Sequence, residues 1–142
     1  MQHRKAINWQ AWSLLVICLG QALYIYISSP SRPEPSKIVS VTKVGEGGAI
    51  YEVLYDSGGA TVPFIYRYFL MAVQPNDEEA LSKMRKATPF LVTQSTHAVR
   101  EVVGTKVKLN SDETIYDFHN TAYFKVGGEL NIVKFDLEAT IP

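Results

Sequence analysis

Asp117 and His119 stand two residues apart in the segment Thr114 to Asn120, and a spacing of two puts both side chains on one face of a strand. A carboxylate that orients an imidazole is the beginning of a general base or of a metal site. Either needs a further member. No Ser or Thr lies in a GxSxG elbow, so no nucleophile is marked for the imidazole to activate. The single cysteine, Cys18, excludes an intrachain disulfide and a zinc site built on thiolates. Asp117 and His119 are therefore expected on a solvated strand face opposite Tyr116 and Phe118, offered to a partner. The chain is read as a non-enzyme with no catalytic residue, no metal and no cofactor.

Two other features invite a chemical reading. Arg67 interrupts the aromatic run Tyr66-Arg67-Tyr68-Phe69, where a guanidinium either stacks on neighbouring rings or meets a partner's carboxylate. Stacking is the favoured role, and Arg67 joins Asp117 and His119 as a partner-binding candidate. Gly45-Glu46-Gly47-Gly48 has the glycine content of a phosphate cradle, but such a cradle opens a helix and tolerates an acid poorly. A strand pattern follows here, so the segment reads as a hairpin turn in which glycine supplies positive φ. Tyr51, Tyr55, Tyr66, Tyr68, Tyr116 and Tyr123 are expected mostly in the core, any surplus on one face having the composition of an interface.

The elements that must carry these residues divide sharply. No Asp, Glu, Lys or Arg occurs between Lys5 and Arg32, although 20% of the chain is charged. Within that gap Ala11 to Ile27 is dominated by aliphatic and aromatic residues, and extension from Ala6 to Ser28 gives about the ~20 residues that cross a ~30 Å hydrocarbon layer. Trp9 and Trp12 at one end and Tyr24 and Tyr26 at the other suit the two headgroup regions. A cleaved signal peptide competes, but Tyr26-Ile27-Ser28-Ser29-Pro30 lacks an Ala-x-Ala cleavage pattern. Residues 1–10 are read as a short cytoplasmic tail, 11–28 as a transmembrane anchor in the lipid bilayer, 29–36 as a Pro-rich linker and 37–142 as an extracytoplasmic β-rich interaction domain. Arg4, Lys5 and the α-amino group favour the N-terminus inside, by a small margin over Arg32 and Lys37. Ser13, Ile17, Gly20, Gln21 and Tyr24 share one helical stripe of small and polar side chains and are candidates for helix–helix contact, with a second copy or another protein.

From Lys37 onward, short β-branched and aromatic runs alternate with glycine pairs, the pattern of strands and hairpins. A meander is expected over Ile38 to Val44, Ala49 to Tyr55 and Thr61 to Val73, with a second turn at Asp56-Ser57-Gly58-Gly59. The Phe64 to Val73 run should be the most buried strand, and Pro63 should mark its start, an edge or a bulge. Asn76 caps a helix near residues 77–87, with acids in its first turn, bases in its last, and Pro89 beyond. Six further strands follow. The fold class is α+β: one transmembrane helix, then an antiparallel twisted or barrel-like sheet of about 7–9 short strands with one helix.

Zero formal charge, from 14 basic and 14 acidic residues, argues against a nucleic-acid binder working through a net positive field. The absence of an Asn-x-Ser/Thr sequon and a Cys-free outer domain suit a bacterial envelope protein. The expectation is a single-pass, bitopic protein of the bacterial inner membrane whose periplasmic domain binds another protein, as a small subunit of a secretion, conjugation, pilus or cell-wall complex. The alternative is an anchored immunity or inhibitor protein that neutralises a periplasm-acting toxin or hydrolase.

Overall fold

The computed structural model describes residues 3–28, 33–56 and 62–140. These form two units, one ending at Arg32 and one beginning at Pro33.

The first unit is helix α1 (His3–Ser28), of 26 residues. Its stretch Trp9–Ser28, 20 residues long, is long and apolar enough to cross a membrane, about 30 Å at 1.5 Å per residue. Every side chain of that stretch is exposed. The helix begins well before Ala11, so residues assigned by sequence to a tail continue the same helix. The cause is local: no Gly or Pro separates His3 from the apolar run, and Pro30 is the first proline to follow it.

Among the described residues of the second unit nine strands follow one another with a single helix between the third and fourth. Strands β1 (Lys37–Val44), β2 (Gly48–Tyr55) and β3 (Ile65–Ala72) form the expected meander. Helix α2 (Asp77–Met84) starts where Asn76 Oδ1 accepts the Glu79 N–H at 2.8 Å. Then come β4 (Leu91–Thr93), β5 (Val99–Val103), β6 (Lys106–Ser111), β7 (Ile115–Phe118), β8 (Thr121–Val126) and β9 (Glu129–Ala139). The strands make two sheets, ordered β1-β2-β3-β4-β7 and β5-β6-β9-β8. This departs from an all-antiparallel sheet, because β6 and β9 pair in parallel. Parallel pairing needs a long crossover, and β7 and β8 are the chain between them.

Two cores separate three layers. Even-numbered residues of β2 and β3 (Ile50, Tyr68) meet Val107, Leu109, Phe124, Val133 and Phe135 of the four-stranded sheet. Odd-numbered ones (Ala49, Tyr51, Val53, Phe69) meet Ala80 and Met84 of α2. The alternation follows from the period of two along a strand. Hence β2, flanked by β1 and β3 and covered on both faces, is the most buried strand, in place of β3. Strand β3 starts at Ile65, just past Pro63, as the missing proline donor requires.

The spacer is shorter than the proline spacing implied. Ser36 N–H donates to the Leu54 carbonyl at 2.9 Å, and its Oγ accepts the Asp56 N–H at 3.2 Å. Glu34 meets Arg85 at 3.4 Å. The last residues of the proposed linker are thus tied to the domain, while residues 29–32, and Ser57-Gly58-Gly59 of the second turn, lie outside the described residues.

Candidate functional site

The groove that takes in His119 is built by chain reversals. After α2, Pro89 prevents the helix from continuing and Phe90 turns inward, its N–H donating to the Tyr68 carbonyl at 2.9 Å. Just past β7 the His119 N–H donates to the Phe90 carbonyl at 2.7 Å, so the residue after β7 is fixed against the residue before β4. Strand β8 then leaves along the other sheet. The space left is a cavity of about 440 Å³ whose walls include Leu70, Pro89, Phe90, His119, Ala122 and Tyr123. Behind its wall the Phe90 ring stacks on Phe135 with centroids 3.8 Å apart and planes at 6°.

His119 Nε2 lies 3.5 Å from Asp117 Oδ2, and the two side chains are 55% and 51% exposed. At that exposure the pair is solvated and contributes little to stability. Among the described residues, no hydroxyl bonds to the His119 ring, and no group of three or more His, Cys, Asp or Glu gathers as metal ligands. The expected opposition of Asp117 to Tyr116 is altered by a register shift between β4 and β7, which leaves Tyr116 exposed as well.

Arg67 is held apart from this pair. It shares a row with Asp117, since Arg67 pairs with Val92 and Val92 with Asp117, but Val92 stands between them. The Arg67 guanidinium carbon sits 4.2 Å from the centre of the Tyr55 ring on β2, a stacking contact with a ring outside its own aromatic run. Its Nε is buried without a hydrogen-bond partner among the described residues. Burial pushes the Tyr55 phenol above its ordinary range, and the Arg67 charge pulls partly against that. Of the six tyrosines beyond α1, Tyr51, Tyr55 and Tyr68 are buried, whereas Tyr116 and Tyr123 are exposed.

In α1, Ser13, Ile17, Gly20, Gln21 and Tyr24 fall on one exposed stripe, as a helical repeat requires. Ser13 Oγ donates to the Gln10 carbonyl at 2.8 Å, so its hydrogen is used within the helix. A Cβ added at Gly20 meets nothing within 4 Å.

A second polar cluster escaped the sequence reading. Glu52 is 1% exposed, its carboxylate accepting Ser40 Oγ at 2.6 Å and the His97 backbone N–H at 3.0 Å. Tyr68 Oη donates to the Ser95 carbonyl at 2.9 Å and accepts the Ala98 N–H at 3.1 Å. Ser95 Oγ reaches Ser111 Oγ at 2.8 Å and Asp112 Oδ1 at 3.1 Å. The signal was an acid inside the apolar run Ile50-Tyr51-Glu52-Val53-Leu54. These bonds hold the 94–98 turn, with each inner group satisfied, and present no reactive atom to solvent.

Compared with known proteins, the chain matches no family model, no curated protein and no solved structure.

Proposed function

We propose that the protein is a non-enzymatic, single-pass protein of the bacterial inner membrane, N-terminus inside, whose periplasmic domain binds another protein as a small subunit of an envelope complex. The observation that carries this reading is the pairing of an apolar, fully exposed 20-residue helix stretch with a compact domain that has its own core. The groove beside β8 supports the binding part. Its walls mix aromatic and aliphatic side chains with Thr88, Thr121 and His119, Tyr123 being 65% exposed at its rim, and the pair that His119 makes with Asp117 is solvated rather than buried beside a nucleophile. The helix stripe at Gly20 and Gln21 supplies a second contact, within the bilayer.

Orientation is tested by placing a cysteine at exposed Thr96 and adding a membrane-impermeant maleimide to intact spheroplasts. Labelling without lysis is expected; labelling only after lysis overturns the N-in orientation. Function is tested by affinity capture from mild detergent of the full chain and of a chain whose residues 1–30 are replaced by an unrelated anchor. Membrane proteins that accompany the full chain and are lost from the anchor swap support the subunit reading. One soluble enzyme or toxin held equally by both replaces it with the immunity or inhibitor reading. If His119→Ala abolishes a function while the domain remains folded, the non-enzyme assignment fails.

A further inference from the structure

Four strands form the sheet margins: β1 and β7 in one sheet, β5 and β8 in the other. An open margin is a template for unwanted pairing, and a bulge is one of the devices that spoil it. Three of the four carry such a break, between Ile38 and Ser40 in β1, between Val99 and Glu101 in β5, and where β7 meets Val92 and Thr93 of β4. Strand β8 pairs with β9 in unbroken register over all six residues from Thr121 to Val126. It is the margin without a break, and its Thr121, Ala122 and Tyr123 line the groove.

The phase of the ladder says which backbone groups are free. The hairpin closes through Gly127-Gly128, both at positive φ, which makes Val126 and Glu129 a hydrogen-bonded pair. The same phase continues to Asn120, whose carbonyl accepts the Phe135 N–H at 2.8 Å. Even-numbered residues of β8 therefore bond to β9. The N–H and C=O groups of Thr121, Tyr123 and Lys125 point the other way, along the open margin. Exposed apolar surface continues past the groove on the outer face of the sheet, where Tyr123 lies opposite Ile132 and beside Leu130, each more than half exposed.

We propose that β8 receives an extended segment of a partner protein as an added strand, the segment alternating apolar and acidic residues. This rests on the protein-binding reading above and names its site. Backbone bonds to Thr121, Tyr123 and Lys125 supply the docking, and one set of alternate side chains enters the groove over Leu70 and Phe90. The acidic character follows from the surrounding charge: Lys125 lies on the strand, Lys134 opposite Thr121, and Lys106 next in the same row. The acids nearby are Asp117, which stands 3.5 Å from His119, and Asp136, which lies opposite Lys108.

The probe is a library of randomised ten-residue peptides selected on the full chain in detergent. Enriched peptides are expected to show a period of two with acids at alternate positions, and to protect the Thr121, Tyr123 and Lys125 amides from hydrogen exchange. Lys125→Pro and Thr121→Pro block strand addition without removing a bond to β9, because their N–H groups face the open side. Each should weaken the selected peptide at least about tenfold, while Lys125→Thr weakens it only about two- to threefold. Circular dichroism with unchanged exchange at Phe124 verifies that the proline variants remain folded. No enrichment over Lys125→Pro, enrichment of basic or non-alternating peptides, or protection elsewhere overturns the proposal. Protection of the same amides without peptide, in a chain that sediments as a dimer, overturns it in favour of a second copy. A captured partner that still binds Lys125→Pro sinks the β8 site and spares the protein-binding reading. Capture of no partner by the full chain sinks that reading, while the library result still decides whether β8 accepts a strand.

Discussion

The Glu52 carboxylate in the middle of β2 accepts the backbone N–H of His97, 45 residues further along the chain, at 3.0 Å. The bond crosses from the five-stranded sheet to the turn that leads into the four-stranded one. His97 itself has φ of +52°, a left-handed conformation rare outside glycine. The carboxylate thus holds a strained turn from inside the core, and the turn in turn aligns Ala98 for its bond to Tyr68 Oη.

Glu52→Gln and Glu52→Ala should separate hydrogen bonding from charge. The amide retains an acceptor for the His97 N–H and gains a donor for Ser40 Oγ, so its cost is expected within about 1 kcal/mol. Alanine leaves both partners unsatisfied and should cost about 3 kcal/mol. Urea denaturation of residues 33–142 reads both. Equal losses would mean that charge, not acceptor geometry, is what β2 uses.

At position 97 the backbone matters and the side chain, which is exposed, does not. His97→Gly is expected to change stability by less than about 1 kcal/mol, relief of the left-handed cost offsetting the gain in unfolded-chain entropy. His97→Val should lose about 1–2 kcal/mol, a β-branched residue being poorly tolerated there. A valine variant as stable as the parent would show that the turn can relax to negative φ.

Much of this architecture was legible in local pattern. Asn76 with three following acids marked α2, the glycine pairs marked the β1–β2 and β8–β9 turns, and the uncharged stretch after Lys5 marked α1. Local pattern is silent on which strands become neighbours across the chain, so the split into two sheets and the parallel β6–β9 pair were not readable. The site was partly legible. Asp117 and His119 lie 3.5 Å apart and about half-exposed, as a spacing of two along extended chain allows, while the ring under Arg67 is Tyr55 of β2, which its own sequence neighbours do not name. The groove itself joins Leu70, Phe90 and Tyr123 from three separate strands or loops, and only the tertiary fold assembles it.

Gly48 and Gly104 are glycines for different reasons. A Cβ at Gly48 falls within 2.6 Å of Phe124 Cε1 and 2.7 Å of the Val44 carbonyl oxygen, so the residue is small because β8 lies against it. Gly104 has φ of +61° with open space around it. Gly48→Ala is expected to cost about 2–3 kcal/mol through overpacking, and Gly104→Ala only about 1 kcal/mol through conformation. Gly104→Asn should recover most of the latter, since Asn adopts positive φ readily. Thermal denaturation of these three variants and of Gly48→Asn distinguishes the two causes; recovery by Gly48→Asn would contradict the steric one.

Tyr68 makes the alkaline limb of the stability curve predictable. Its ring is fully buried and its hydroxyl is committed to Ser95 and Ala98, so burial pushes the phenol well above the ordinary range for tyrosine. A group whose folded pKa is raised contributes stability that is complete below its unfolded pKa near 10 and is lost as pH rises beyond it. The domain should therefore lose stability above about pH 10, by up to about 1.4 kcal/mol per pH unit from this residue alone. Tyr68→Phe strands the Ser95 carbonyl and the Ala98 N–H and should cost about 1–3 kcal/mol at neutral pH. The same variant has no phenol to ionise, so its alkaline slope should be shallower and the two curves should converge at high pH. Parallel curves from pH 7 to 12 would show that Tyr68 ionises alike in the folded and unfolded chain, so that its burial does not govern the limb.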